Sequence, residues 1–257
     1  MDAVLATTHV PVTSRFEGWR AHVFEEIEST NTCAGPLPAW SVVRADTQTG
    51  GRGRTPDRRW VSGEGGLWLS AVLPCPGSRT KWELLPLAAG WAIVGALRGF
   101  GVPDLRLRWP NDIMIGRRKL AGLLVERYRN DTAVVGVGLN VFNHPELDHP
   151  ELAGQTARLA DLVPGAYTVD DTARLVLRAL RRMHVHLLGA GFRVVADELN
   201  HAWGEPRRVE VTLTGRAHTI EGLFQGIDQH GRLRIVTGRE GPQTYDATQV
   251  ALLRELE

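Results

Sequence analysis

The chain has 257 residues, a formal net charge of +1, 43% hydrophobic and 23% charged residues, the profile of a soluble globular protein rather than a disordered one. No apolar run approaches the roughly 20 residues that span a bilayer, and Met1 to Pro11 has neither the basic start nor the apolar stretch of a signal peptide. Near-neutral charge argues against coating nucleic acid or an anionic membrane by bulk attraction, while leaving room for a local basic site.

The first strand is expected at His22 to Glu28, followed by a short Pro/Gly-rich connection and a second strand from Trp40 to Ala45. The stretch Gly50 to Gly66 holds six Gly and four Arg with no apolar periodicity, so it reads as a loop, and loops longer than about 12–15 residues are usually functional or disordered. Strand character returns at Leu67 to Leu73. Leu84, Leu85, Leu87, Ala88, Trp91, Ala92 and Val94 recur at helical spacing, which predicts a buried helix over Trp82 to Phe100. Three strand-like runs follow, Leu105 to Trp109, Leu120 to Tyr128 and Ala133 to Val141, joined by short turns. Such joins favour an antiparallel or mixed sheet over βαβ repeats.

Val169 to Leu199 is predicted mostly helical, with Thr168 as N-cap, Asp170 and Asp171 in the first turn, and Gly189 and Gly191 dividing it. After Trp203 come Val209 to Leu213, Ala217 to Ile227, Leu233 to Thr237 and Val250 to Leu253, the rhythm of a small β-barrel of roughly 50 residues. The fold class is therefore α+β, with domains at 1–203 and 204–257. Cys33 and Cys75 lie far apart, with no CxxC pair and no His at ligand spacing. No metal site built from His and Cys is expected, and a reduced cytoplasmic compartment is.

Five short motifs carry the chemistry. Ser29-Thr30-Asn31 ends the first strand with three hydrogen-bonding side chains, able to cap a helix or to read a polar ring. Gly50-Gly51-Arg52-Gly53-Arg54 alternates residues that let backbone approach a ligand with guanidiniums that fork onto phosphate or carboxylate. It is neither a P-loop nor a dinucleotide fingerprint, and a solvated loop is an equal reading of that piece alone. Trp60, just after Arg58 and Arg59, suits stacking on a nucleobase or folding onto the protein's own surface. In Arg108-Trp109-Pro110-Asn111-Asp112, Asn111 and Asp112 can turn the chain, and Lys119 opens the apolar run Leu120 to Val125. Gly136 and Gly138 interrupt a strand, which marks close approach of a ligand or another backbone.

In this order the motifs resemble those of the biotin–protein ligases, from about Glu28 to Asn140, and the C-terminal barrel extends the likeness to nearly the whole chain. The resemblance implies a class II synthetase-like catalytic domain, a mixed sheet flanked by helices, with an SH3-like C-terminal barrel. It implies activation of biotin by ATP and Mg²⁺ to biotinyl-5′-AMP, and transfer of biotin to a lysine of the biotin carboxyl carrier domain of acetyl-CoA carboxylase or a related carboxylase. Ser29, Thr30, Asn31 and Gln48 then fall at polar biotin contacts. Gly51, Arg52, Gly53 and Arg54 form the loop over biotin and adenylate. Trp60 packs with adenine, Lys119 holds the carboxylate and α-phosphate, Gly122, Gly136 and Gly138 border biotin, Asn140 lies near the adenylate, and Asn111 and Asp112 lie near the phosphates. Lys119, Arg54 and Asp112 are the catalytic candidates, Asp112 as a helper in deprotonating the acceptor lysine.

Two positions depart from the family pattern: Arg108 stands where Lys is usual, and the segment between Asn31 and Trp40 is shorter and richer in Pro than the usual helix. About twenty residues before the first strand are too few for a helix-turn-helix module, so no DNA partner and no repressor activity are expected. No membrane partner is expected either, and the chain is read as a monomer or a homodimer. A lipoate or octanoate transferase shares the catalytic fold, but without Gly-Arg-Gly-Arg together with such a barrel. A non-enzymatic biotin sensor would need neither Lys119 nor Arg54.

Overall fold

The structure, a computed structural model, describes residues 12–75, 82–215, 219–238 and 241–256. The signal-peptide reading at 1–11 and the Ala217 start of a barrel strand lie outside them. Strands β1 (Val12–Phe16), β2 (Trp19–Ile27), β3 (Ser41–Gln48), β4 (Leu67–Pro74), β5 (Leu105–Arg108), β6 (Asp112–Ile115), β7 (Arg118–Glu126) and β8 (Thr132–Leu139) form one sheet in the order β1-β2-β3-β4-β8-β7-β6-β5. Its β2–β3 pair is parallel and the others antiparallel, so the sheet is mixed, as the short joins predict.

Side chains alternate between the two faces of a strand. On β4, Leu67, Leu69, Ala71 and Leu73 join the main core, and on β8 so do Ala133, Val135, Val137 and Leu139. That face is covered by α2 (Leu85–Gly99) and α4 (Val169–Gly189), which pack on each other; in chain order the single turn α3 (Pro145–Asp148) falls between them. Helix α2 buries residues around much of its circumference, from Leu85 to Leu97, with Pro86 in its first turn, where a missing N–H costs nothing. Helix α4 is amphipathic and buries Ala173, Val176, Leu177, Leu180 and Met183. Its start is the capping box of Thr168 and Asp171, and α5 (Phe192–Trp203) follows the break at Gly191, whose φ is +75°. The opposite face of the sheet keeps a smaller core, Phe24, Val43, Ala45, Val72 and Val134, under Ala34 of α1 (Thr30–Ala34).

The C-terminal strands β9 (Arg207–Leu213), β10 (Thr219–Ile227), β11 (Leu233–Thr237), β12 (Gly241–Tyr245) and β13 (Val250–Glu255) make a second, antiparallel sheet in the order β12-β11-β10-β9-β13, consistent with an SH3-like domain. Its inward residues Val209, Val211, Phe224 and Ile235 belong to the same core cluster as helices α2 and α4. Trp203 stitches the junction: its ring meets Phe224 edge-on at 5.1 Å, and its Nε1–H donates to the Leu107 carbonyl.

Several local expectations need correction. The connection after Ser29 contains the helix α1, although Pro and Gly crowd its far end. Strands β1, β6 and β12 have no counterpart in the sequence reading. The turn lies at residues 109–111 and Asp112 already opens β6, because antiparallel pairing with Arg108 and Gly122 captures it.

Candidate active site

The face of the sheet away from α2 and α4 carries the site. Register sets Trp68, Gly138, Gly122 and Asp112 side by side across β4, β8, β7 and β6, with Ser70, Gly136 and Leu124 in the next row. The glycines are there for close approach. A Cβ on Gly136 would stand 2.2 Å from Asn31 Oδ1, one on Gly138 2.5 Å from Trp60 Nε1, and one on Gly122 2.8 Å from the Trp60 ring. Above this floor opens a cavity of about 710 Å³, a size that suits a drug-sized ligand or larger.

One end is a hydrogen-bond network of uncharged side chains, closed at its edge by the Glu126 carboxylate. Thr30 donates to Gln48 Oε1 from its backbone N–H (2.8 Å) and from its hydroxyl (2.9 Å), and Gln48 Nε2 donates to Ser62 Oγ (2.9 Å). Ser70 Oγ donates to Asn31 Oδ1 at 2.6 Å and lies 2.8 Å from Thr30 Oγ1. Asn31 Nδ2 donates to the Leu124 carbonyl and to Glu126 Oε2. Asn31 is thereby committed to the scaffold at both ends of its amide. Ser29 lines the cavity as the N-cap residue of α1, but its side chain makes no capping hydrogen bond, which leaves the hydroxyl for a ligand.

The other end is cationic. Lys119 Nζ lies 2.6 Å from Asp112 Oδ1, and Arg108 Nη2 lies 2.7 Å from Asp112 Oδ2. Burial works to raise the Asp112 pKa, but Lys119 and Arg108 overcome it and hold the carboxyl below its ordinary range. Arg108, the departure from the family pattern, thus occupies the second oxygen of the carboxylate that Lys119 holds by the first. Asn111 braces the turn by donating to the Leu123 carbonyl at 2.6 Å. The cavity lining counts nine arginine and lysine residues against two acidic ones, Asp112 and Glu255. Such a surplus suits a polyanion.

The Gly/Arg loop folds back on itself. Trp60 N–H donates to the Gly51 carbonyl and Gly53 N–H to that of Arg58. A Cβ on Gly51 would stand 2.3 Å from the Trp60 carbonyl oxygen, and one on Gly53 2.7 Å from the Arg58 Cβ. Glycine is needed there by the loop's own hairpin, and Gly51 alone of the predicted site residues does not line the cavity. The turn sends Arg52 to Glu126, at 2.8 Å, and Arg54 to the carbonyls of Ala247 (2.7 Å), in the 3-10 turn before β13, and of Ala251 (3.1 Å), on β13. Burial, with Arg58 nearby, lowers the Arg54 pKa against the pull of Asp112. Trp60 folds onto the protein's own sheet, against Gly122 and Gly138 inside the cavity. Its ring meets Trp68 edge-on at 6.4 Å, Lys119 Nζ stands 4.8 Å from its centroid, and its buried Nε1–H has no partner among the described residues.

Asn140 is buried at the wall, donating to the Ala157 carbonyl and accepting from Asn143. Every predicted site residue except Gly51 therefore lies around one cavity. The sequence reading missed Ser62, Ser70, Glu126 and the β13 wall formed by Ala251 to Glu255. Only Glu126 had a signal, as the last residue of Lys-Leu-Ala-Gly-Leu-Leu-Val-Glu.

Fold and cavity together define a two-sheet molecule whose C-terminal strands wall a polar, cationic cleft on the larger sheet. Residues 23–141 match the Biotin/lipoate A/B protein ligase family and residues 207–251 the Biotin protein ligase C terminal domain. The biotin–[acetyl-CoA-carboxylase] ligase of Mycobacterium tuberculosis is 33% identical over 235 residues, covering 86% of this chain and 85% of that protein. The bifunctional ligase/repressor BirA of Bacillus subtilis is 28% identical over 219 residues, 82% of this chain but 66% of the relative. In fold, the chain is similar to the biotin protein ligase from Aquifex aeolicus in complex with biotin and ATP, with a TM-score of 0.79 at 24% identity over 92% of this chain and 99% of that one. This chain belongs to the biotin protein ligase family, a family of enzymes.

Proposed function

We propose that the protein activates biotin with ATP, giving biotinyl-5′-AMP and pyrophosphate, and passes biotin to one lysine of the biotin carboxyl carrier domain of acetyl-CoA carboxylase or a related carboxylase. One observation carries this reading: a single cavity joins a neutral hydrogen-bonding end at Thr30 and Gln48, a glycine floor, and a cationic end at Lys119. These match biotin's uncharged ureido ring, its apolar body, and a carboxylate beside phosphates.

In the first step a carboxylate oxygen of biotin attacks the α-phosphorus, and the bond to the β-phosphate oxygen breaks as pyrophosphate leaves with the electron pair. Lys119, Arg108 and Arg54 oppose the charge that builds on the phosphoryl oxygens. Trp60 offers an indole face for the adenine. Among the described residues no three His, Cys, Asp or Glu side chains gather to hold a metal ion. Mg²⁺ is accordingly taken to arrive with the nucleotide, bound to its phosphates.

In the second step the carrier amine attacks the acyl carbon, AMP departs with the electrons of the broken anhydride bond, and the nitrogen loses a proton. Asp112, held below the usual carboxylate range, is a weak base while both its oxygens are paired. Its first task is to orient Lys119. The loop over residues 50–66 would keep water off the mixed anhydride between steps. Residues 1–203 then form the catalytic unit, and 204–257 a C-terminal unit that supplies one wall. Among the described residues no helix is long and apolar enough to cross a membrane, and two free cysteines support a reduced cytoplasmic setting.

Mass spectrometry of a carrier domain incubated with the protein, ATP, Mg²⁺ and an equimolar mixture of biotin, lipoate and octanoate tests this. One added biotinyl group on one lysine is the expected result. Lipoylation or octanoylation instead would place the chain with the transferases that share its fold.

A further inference from the structure

Glu126 is the last residue of β7, on the same face as Gly122 and Leu124 by the two-residue period of the strand. Three donors from three parts of the chain converge on its Oε2: Asn31 Nδ2 at 2.7 Å, Arg52 Nη2 at 2.8 Å and the Tyr128 hydroxyl at 3.1 Å. Arg52 Nη2 lies also 3.0 Å from the Tyr128 oxygen and 3.3 Å from Thr32 Oγ1. The Tyr128 ring covers the end of α1, where a Cβ on Gly35 would stand 2.8 Å from it. One carboxylate oxygen therefore ties together helix α1, the Gly/Arg loop and the connection after β7.

Each tie leads into the cavity. Asn31 Oδ1 is fixed by Ser70 and faces Gly136, so the acceptor at Nδ2 decides which way this amide points. Arg52 sits between Gly51 and Gly53, whose backbone hydrogen bonds hold the hairpin that carries Trp60. A hydrogen bond between charged partners is stronger than one between neutral groups, so this contact anchors one end of the hairpin. Arg54, through the carbonyls of Ala247 and Ala251, anchors the other.

We propose that Glu126 is a positioning residue that fastens the Gly/Arg loop to helix α1 and thereby sets the affinity for biotin, an inference that rests on the biotin reading of the cavity. It touches neither reacting atoms nor phosphates. Glu126→Gln keeps the shape and an acceptor for Asn31 but removes the charge that Arg52 faces.

Two readouts test it. In protein without biotin or ATP, trypsin should cleave after Arg58 about tenfold faster in Glu126→Gln than in the wild type, and Glu126→Asp should restore part of the protection, since losing a charged hydrogen bond is worth about one decade. In pyrophosphate exchange, the biotin KM should rise about tenfold, and by more than the ATP KM, because helix α1 is loosened as well as the hairpin. Glu126→Gln and Arg52→Ala should together cost no more than the worse of the two alone. Wild-type cleavage in Glu126→Gln overturns the latch, and faster cleavage with an unchanged biotin KM overturns its bearing on affinity. Were the wild type itself to show no exchange with biotin, the parent reading would fall, while the difference in cleavage would still support the latch.

Discussion

Asp112 is held by two cations, and its protonation links the site to folding. Its carboxyl titrates below the ordinary 3.8 because Lys119 and Arg108 outweigh its burial. A group with a depressed folded pKa contributes stability that is fully present above its unfolded value and is lost as pH falls through the folded one. The stability advantage of the wild type over Asp112→Asn should therefore be constant above about pH 5 and shrink progressively below about pH 4. Urea unfolding of both proteins across that range measures it, and an advantage that persisted undiminished well below that window would mean that the ion triad is not what Asp112 contributes. Arg108 belongs to the same account. A lysine would supply the same charge, but the guanidinium reaches the second carboxylate oxygen at 2.7 Å without displacing Lys119 from the first.

At the scale of elements, the glycine floor is the most exposed to test. Gly136→Ala would place a methyl 2.2 Å from Asn31 Oδ1 among buried groups. Overpacking of this kind costs about 1–3 kcal/mol, so its denaturation midpoint should fall, and displacement of Asn31 should raise the biotin KM more than the ATP KM. An unchanged midpoint and an unchanged biotin KM would show that Asn31 moves aside freely. The elements that the sequence reading found share one property, which is sustained burial, either unbroken or with a regular period. Strand β4 buries Leu67 to Leu73 without interruption, and α4 repeats its apolar face over 21 residues behind a capping box. Those it missed lack the pattern. Helix α1 has five residues, β6 has four, and β12 is a half-exposed Gly-Pro-Gln-Thr-Tyr. Each is held by neighbours, α1 through the Gln48 side chain at Thr30 N–H. The same limit governs the site. Motif order made Lys119, Thr30 and Trp60 legible, whereas Glu126 meets Arg52 and Asn31 across 74 and 95 residues of chain, a pairing that no local pattern encodes.

Across the whole molecule, the C-terminal sheet walls the candidate cavity rather than hanging from it as an appendage. Ala251 to Glu255 line it, Arg54 is bound to Ala247 and Ala251, Trp109 Nε1–H donates to the Gly231 carbonyl, and Glu255 pairs with Arg106 and Arg207. Arg54→Gly removes the loop's hold on the C-terminal unit and the cation proposed to face the phosphates. Adenylate should then escape into solution, and lysines of a bystander protein should be biotinylated well above the wild-type level, read by streptavidin blot. Labelling confined to the carrier lysine would contradict the closure role. The same architecture means that removing residues 209–257 should impair adenylate formation itself, not only transfer to the carrier.

The most direct measurement is ATP–pyrophosphate exchange with purified protein, Mg²⁺ and no carrier, comparing biotin with lipoate and octanoate, and the wild type with Lys119→Ala. The account predicts exchange with biotin alone and a loss of at least about 100-fold in Lys119→Ala, the scale of removing one group that stabilises charge in the transition state. Biotin binding seen by calorimetry without any exchange would contradict it, and would leave a protein that holds biotin but does not activate it.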